Sequence, residues 1–386
     1  MHLKDELEII RGKPIMMIPH DPADVPCMEI SDKDALCKAP LVSVQMATYN
    51  HERYIRRAIE SVLEQKTDFP FELVIGEDCS QDKTRDICIE YQKRYPDKIR
   101  VLWWHENVRK LGGNSRRIAA RCRGKYIAVC EGDDFWVSPQ KLQKQVNILE
   151  RNPSVGLCFT DGRIVCQNSD KNLLWHDLHD ISAGKIEGRK FCVLHAFGES
   201  IKREPSPLTI NTASAVYRRD IWMLAFERFE IFRWDLALGD STLWLGLASL
   251  ADVWYLADVT MCYNQNSGGA MHQYGCSVVR DAQIVRMYYA FTYLHVKPVH
   301  WPVWFLDAVV HYYILNHKDK RWSTRVFESM KLISSKRMRY VFLRPRCLPV
   351  TICICLGLPC GRFFELVGRF EKCVRHVIQK VRGRFS

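Results

Sequence analysis

Residues 125–136, Lys-Tyr-Ile-Ala-Val-Cys-Glu-Gly-Asp-Asp-Phe-Trp, run from an apolar stretch straight into three carboxylates and two large aromatics. Tyr126 to Val129 has the length and the β-branched, aromatic content of a buried strand. Glu131, Asp133 and Asp134 then fall within four residues. At ~4 Å and an effective dielectric near ~20, each like-charge pair costs roughly 4 kcal/mol. Crowding of this kind at a strand end implies a cation that the stretch itself does not supply. A solvated acidic turn capping the next helix is the plainer reading of the same residues.

The flanking sequence repeats the strand signal. LVSVQMAT (41–48), FELVIGE (71–77), IRVLWWH (99–105) and KYIAVCE (125–131) read as strands. HERYIRRAIESVLEQ (51–65), DKTRDICIEYQKRY (82–95) and GNSRRIAARC (113–122) between them read as helices, the first with Ile55, Ala58, Ile59, Val62 and Leu63 on one face. This β/α alternation predicts parallel strands with right-handed crossovers in an open, mixed but mostly parallel α/β sheet flanked by helices. Ligands of such sheets bind beyond the carboxyl ends of the strands. Thr48-Tyr49-Asn50, Glu77-Asp78 and Glu131 to Asp134 all fall there, and three clusters on one sheet edge argue for a site.

Further along, SPQKLQKQVNILERNP (138–153) predicts a helix with Ser138 as N-cap and Pro139 at its first position. VGLCFTDGRIVC (155–166) reads as strands, 167–205 as a variable loop region, and TINTASAVYRRDIW (209–222) as a strand entering a helix. LGDSTLWLGLASLA (238–251) predicts a helix with Leu243, Trp244, Leu247 and Leu250 along one face, and VWYLADVTMCYN (253–264) a strand pair. The organisation expected is an extension over 1–39, an α/β domain over 40–275, and a helical, basic region over 276–386.

Charge separates the last region from the rest. The net charge of +12 resides entirely in 321–386, with 15 Lys+Arg against 3 Asp+Glu, and 1–320 balances at 41 of each. The basic balance therefore describes a tail and not a nucleic-acid-coating surface, so no nucleic-acid partner is expected. From Phe363 to Val381 apolar residues recur at helical spacing between Arg369, Lys372, Arg375 and Lys380. A basic amphipathic helix of this kind suits an anionic membrane surface, and a core-packing helix with a solvated face fits the same spacing. The uncharged run 347–361 is 15 residues long and holds Pro349 and Pro359, short of the roughly 20 needed to span a bilayer. It reads equally as an interfacial or a buried piece. The 16 cysteines scatter through predicted elements without a CxxC pair, and the acidic start MHLKDELEII is unlike a signal peptide, so reduced thiols in a cytosol are expected.

In these segments the chain resembles the family 2 glycosyltransferases of the GT-A fold, in particular bacterial ones that build capsule and O-antigen chains. The resemblance rests on VSVQMATYNHERYIRRAIESVLEQ, ELVIGEDCSQDKTRDI, the Asn107 to Arg121 stretch, GKYIAVCEGDDFW with SPQKLQKQV, and LGDSTLW, in family order over 40 to about 265. It implies a nucleotide-sugar donor with Mg²⁺ or Mn²⁺ held at the DxD-type motif by Asp133 and Asp134. Glu131 stands where the family usually has Asp, and its longer arm has room to meet ribose or metal differently. The family's base-binding Asp maps onto Asp78, which suits a uracil N–H and hence a UDP-linked donor, with Glu77 beside it facing ribose. Thr48 and Asn50 edge the same pocket, and Lys110 with Arg109 lies in the loop that would meet phosphate or base. Asp240 matches the family's general base for inverting transfer, with Asp235 as the fallback and helix N-capping as its plainer role. Tyr263-Asn264-Gln265-Asn266 replaces the family's Tyr-Arg-x-His, and His272 is the nearby residue left to substitute.

The resemblance also implies a growing saccharide as acceptor, polyprenyl-diphosphate-linked at the cytoplasmic face of the inner membrane, with the enzyme peripheral there. Two other readings stand beside it: an inactive nucleotide-sugar-binding module of the same fold, and a nucleotidyl-transferring polymerase. The second would need a further metal-binding Asp motif and template binding with steep salt dependence.

Overall fold

The computed structural model describes residues 26–108, 114–166, 172–174, 181–197, 208–229 and 239–265, with Ala290 and Leu294. The chain divides into two units, Met1–Lys297 and Pro298–Ser386, and the second lies outside the described residues. The expected basic amphipathic helix and the uncharged run at 347–361 therefore lie outside them too. No helix among the described residues is long and apolar enough to cross a membrane.

The first half alternates as its periodicity predicts. Strand β1 (Met28–Ile30) precedes β2 (Val42–Thr48), α1 (Ile55–Leu63), β3 (Phe71–Glu77), α2 (Thr84–Arg94), β4 (Ile99–Trp103), α3 (Asn114–Arg121) and β5 (Tyr126–Val129). β3 is buried along its whole length and β2 at every position but Ala47, which fits strands covered on both faces. β4, β3, β2 and β5 lie side by side in parallel, so their carboxyl ends share one edge. Helix α3 docks directly on β3 at Gly76, where an added Cβ would come within 2.4 Å of the Ile118 side chain.

The second half is antiparallel around a long parallel pair. It holds β6 (Phe135–Trp136), α4 (Lys141–Arg151), β7 (Val155–Cys166), β8 (Asn172–Leu174), β9 (Gly184–Ile186), α5 (Gly188–Phe197), β10 (Val216–Arg218), α6 (Arg219–Arg228), α7 (Gly239–Leu250) and β11 (Asp252–Gln265). The sheet order is β1-β4-β3-β2-β5-β10-β7-β11-β6, with β8 on β7 and β9 on β11. The result is the mixed α/β sheet flanked by helices that the alternation predicts, parallel at its centre.

Four local expectations need correction. The strand pair expected over 253–264 is one strand, β11, parallel to β7, and its irregularity near Leu256 to Val259 is a register shift and not a turn. The loop expected over 167–205 contains β8, β9 and α5, whose Phe191, Cys192, His195 and Ala196 are buried at helical spacing. Ser138 does not cap α4: its N–H donates to Thr260 O, its carbonyl takes the Gln65 amide at 2.8 Å, and the helix starts at Lys141. Helix α7 is buried on more than one stripe, since Trp244, Leu245, Leu247 and Ala248 are all enclosed.

The extension joins the sheet through β1, which pairs antiparallel with β4 and is tied by Glu29 to Arg100 at 2.9 Å. Beneath it Glu72, fully buried, accepts from Ser43 Oγ (2.6 Å), Arg123 Nε (2.8 Å) and Arg100 Nη1 (3.4 Å). Removing one partner of a buried ionic group leaves the others uncompensated. Glu72→Ala should therefore lower the unfolding free energy by roughly 3 kcal/mol, read as a shift in the chemical-denaturation midpoint. An unshifted midpoint would show that this cluster does not bind the edge strand to the sheet.

Candidate active site

The loops beyond β2, β3 and β5 are bonded to one another. Asp78 N–H donates to Thr48 O (3.0 Å) and Gly132 N–H to Ala47 O (2.9 Å). At Gly132 an added Cβ would lie 2.6 Å from Thr48 Oγ1, so only glycine lets the acidic turn approach β2 this closely. Asn50 and Cys79 adopt left-handed backbone, with φ of 54° and 61°. Asn50 N–H donates to Ser80 Oγ and its Oδ1 accepts from Gln81 N–H at 2.8 Å, which locks the two loops together.

Glu77 and Asp78 hold this edge in different ways. The buried Glu77 carboxylate accepts from Arg85 Nε and from Ser80 N–H, each at 2.6 Å. Those bonds close the loop leading to α2, and Arg85 in turn lies over the Trp103 ring, 4.4 Å from its centroid. Asp78 Oδ1 accepts from Val108 N–H at 2.6 Å, and its carbonyl accepts from Asn107 Nδ2. Lys110 and Arg109, expected at this edge, lie outside the described residues.

The acidic turn is more enclosed than an exposed loop. Asp134 is buried, and its Oδ1 accepts from Asn264 N–H at 2.9 Å. Burial, then the charges of Asp133 and Glu131, hold its carboxyl well above the usual range. Thr212 lies close enough to Glu131 to work against the rise of its pKa, while Glu131 Oε2 is buried without a hydrogen-bond partner. Burial first, then Asp133 and also Asp240, push Glu131 up to about 8. Asp133 is partly open, with 17% of its side chain exposed and Oδ2 3.8 Å from His51 Nε2. Burial lowers the pKa of His51, and the charges of Asp133 and Asp82 work against that.

Asp240 reaches the same place from the other half of the sheet. It lies in the first turn of α7, its Oδ1 accepting from Ser241 N–H at 2.8 Å. Tyr263 on β11 registers the whole assembly: burial raises its phenol, followed by Asp134, Asp133, Glu131 and Asp240. Folding thus brings Asp240 near three carboxylates that precede it by more than 100 residues. Asp235 and His272 lie outside the described residues.

Sequence reasoning missed Thr212, His51 and the backbone amide of Asn264. Thr212 sits in a 3₁₀ turn, Thr212–Ser214, capped by Asn211 through Ala213 N–H at 3.0 Å. An Asn followed by Thr and Ser is a turn signal that marks the place, although not the partner. Among the described residues, no three His, Cys, Asp or Glu side chains stand close enough to hold an ion by themselves. The donor set still fits a hard divalent cation that takes its other ligands from phosphate and water. The observations behind that fit are the unpartnered Glu131 Oε2 and the mutual repulsion of three carboxylates.

Residues 43–221 match the family model described as Glycosyl transferase family 2. An uncharacterized protein of Mycobacterium tuberculosis is 34% identical over 183 residues, covering 46% of this chain and 47% of that one. An uncharacterized glycosyltransferase of Methanocaldococcus jannaschii is 42% identical over 125 residues, 31% of this chain and 41% of its own length. The chain spans about half the length of the curated relatives it matches first. Among solved structures, that of S. aureus TarS 1–349 in complex with UDP-GlcNAc aligns with a TM-score of 0.48 at 18% identity, over 70% of this chain and 80% of that one.

The raised carboxyls set the sign of a pH effect. Between the ordinary value of 4.5 and about 8, folded Glu131 keeps a proton that the unfolded chain has lost, and Asp134 adds the same sign. Metal-free stability should therefore fall as pH rises through that window, since the native state binds more protons there. Thermal unfolding in EDTA at several pH values measures the slope, and Glu131→Gln should flatten it. A melting temperature that climbs steadily across the window would contradict the arrangement.

Proposed function

We propose that the chain transfers a glycosyl group from a nucleoside-diphosphate sugar to a saccharide hydroxyl, with inversion at the anomeric carbon. The observation that carries this reading is the convergence of Asp240 with Glu131, Asp133 and Asp134 at the carboxyl edge of the sheet, reported by Tyr263. A lone acidic turn has no use for a fourth carboxylate brought from another helix. An acceptor site facing a diphosphate site does.

Asp240 takes the proton from the acceptor hydroxyl as that oxygen forms its bond to the anomeric carbon. The bond from that carbon to the diphosphate breaks on the opposite face, and nucleoside diphosphate departs. One base suffices for a single displacement, and no covalent enzyme intermediate is needed. Asp133, which is partly open, would hold Mg²⁺ or Mn²⁺, with Glu131 and Asp134 beside it. A bound divalent ion supplies Lewis-acid stabilisation of the diphosphate.

Asp78 supplies a carboxylate acceptor for a base N–H, which favours a uracil nucleotide. Thr48, whose Oγ1 is buried without a partner, and Asn50 edge that pocket. Glu77 serves it by holding the loop through Arg85 and Ser80, or by turning to ribose. In the unit beyond 297, the +12 tail supports an acceptor presented at an anionic membrane surface, such as a polyprenyl-diphosphate-linked saccharide in surface polysaccharide synthesis. Peripheral placement on the cytoplasmic face of a membrane follows from that acceptor.

A panel of nucleotide-sugars assayed for hydrolysis and transfer tests the class. Asp240→Asn keeps the shape and the capping bond but cannot take a proton, so turnover should fall by about 10²-fold or more with donor binding retained. Asp133→Asn, or EDTA with the wild-type chain, should abolish transfer while the fold persists. Normal turnover in Asp240→Asn would remove the base from this position, and full activity in EDTA would remove the metal.

A further inference from the structure

His195 lies in α5, the helix that periodicity did not reveal, and its side chain is fully buried. The ring stacks on Phe191, centroids 5.4 Å apart and planes 19° from parallel. Nδ1 is 2.6 Å from Leu208 O and Nε2 is 2.8 Å from Ser241 O. Carbonyl oxygens only accept, and a neutral imidazole offers one N–H and one lone pair. A neutral ring would set that lone pair against a carbonyl oxygen at hydrogen-bonding distance. Only the imidazolium satisfies both contacts.

The second contact matters because of where it falls. Ser241 follows Asp240 in the first turn of α7, and its N–H already orients the Asp240 carboxylate at 2.8 Å. His195 grips the same residue by its carbonyl. One turn further along, Cys192 Sγ donates to Leu245 O at 3.7 Å, so α5 holds α7 at two successive places. Among the described residues, the titratable groups on the elements packed about the ring include Asp240 on α7, Cys192 and Arg189 on α5 itself, and Tyr255 on β11. Leu208 to Ile210 contributes none.

We propose that His195 is held as an imidazolium between Leu208 O and Ser241 O, a positioning residue that fixes the first turn of α7 and with it Asp240. Its consequence for turnover rests on the reading of Asp240 as base, whereas the protonation state does not. When pH rises far enough to take the second proton, one carbonyl contact is lost and the turn loosens. Turnover should therefore show a falling limb at alkaline pH that belongs to His195.

Nitrogen-15 NMR of the histidine rings in the full chain tests the charge directly. The expected result is one buried ring, assigned in the wild type by its contacts to Phe191, with both nitrogens protonated at neutral pH. A ring with one bare nitrogen there would overturn the proposal, and this measurement needs no variant to fold. In the kinetic arm, His195→Gln keeps much of the volume but cannot donate in both directions. Its kcat should drop on the order of 10- to 100-fold with donor KM little changed, and the alkaline limb should vanish. An unchanged kcat and limb in a folded His195→Gln would overturn the positioning role. Asp240→Asn separates the two readings: normal turnover there refutes the base while leaving the doubly protonated ring in the spectrum.

Discussion

Carboxylates crowded at one sheet edge, Glu131, Asp133 and Asp134 with Asp240 close by, are the constraint on which the rest of this structure depends. Each close pair at the edge of a protein repels by roughly 4 kcal/mol at ~4 Å, and burial adds to that cost. The chain answers with local bonds. The Asn264 amide donates to Asp134, and Ser241 N–H donates to Asp240. Glu131 and Asp134 respond by holding protons far above their ordinary range. A site prepared in this way gains most from a ligand that brings positive charge, and that same ligand would organise a diphosphate.

The fold divides the work between its two halves. The parallel strands β4, β3, β2 and β5 end together, so the loops after them share hydrogen bonds and form one continuous rim. Gly132 lets the acidic turn lie against Thr48, and the left-handed Asn50 and Cys79 let adjacent loops interlock. The other half is built on the parallel pair β7 and β11, with α5 and α7 packed beside it. It delivers Asp240, Tyr263 and the Asn264 amide. Asp240, supplied by a separate packing layer, is placed by helix–helix contacts, which is why His195 and Cys192, remote in sequence, bear on its position.

Not every acidic residue at the edge has the same task. Glu77 is committed to Arg85 and Ser80, and Asp78 to Val108 and the β2 backbone. These bonds make this side of the rim rigid before any ligand arrives, and preorganisation of that kind cuts the cost of binding. Asp133, by contrast, stays partly exposed, with His51 beside it. Neighbouring carboxylates therefore divide into those that hold the loop and one left partly open.

Sequence alone determined the parallel core, the edge on which the site lies and the identity of the acidic turn. Those features follow from local periodicity and from the rule that crossovers place every strand's carboxyl end on the same side. It also marked Asp240, through the short segment around Trp244. It did not reveal α5, whose weakly amphipathic run reads as loop, nor the continuity of β11, because a bulge and a turn look alike along a chain. Nor could it join Thr212 to Glu131, Asn264 to Asp134 or His195 to Ser241. Those pairs lie 81, 130 and 46 residues apart. Only tertiary packing decided them, because contacts between distant segments depend on how layers stack and leave no periodic trace in either segment.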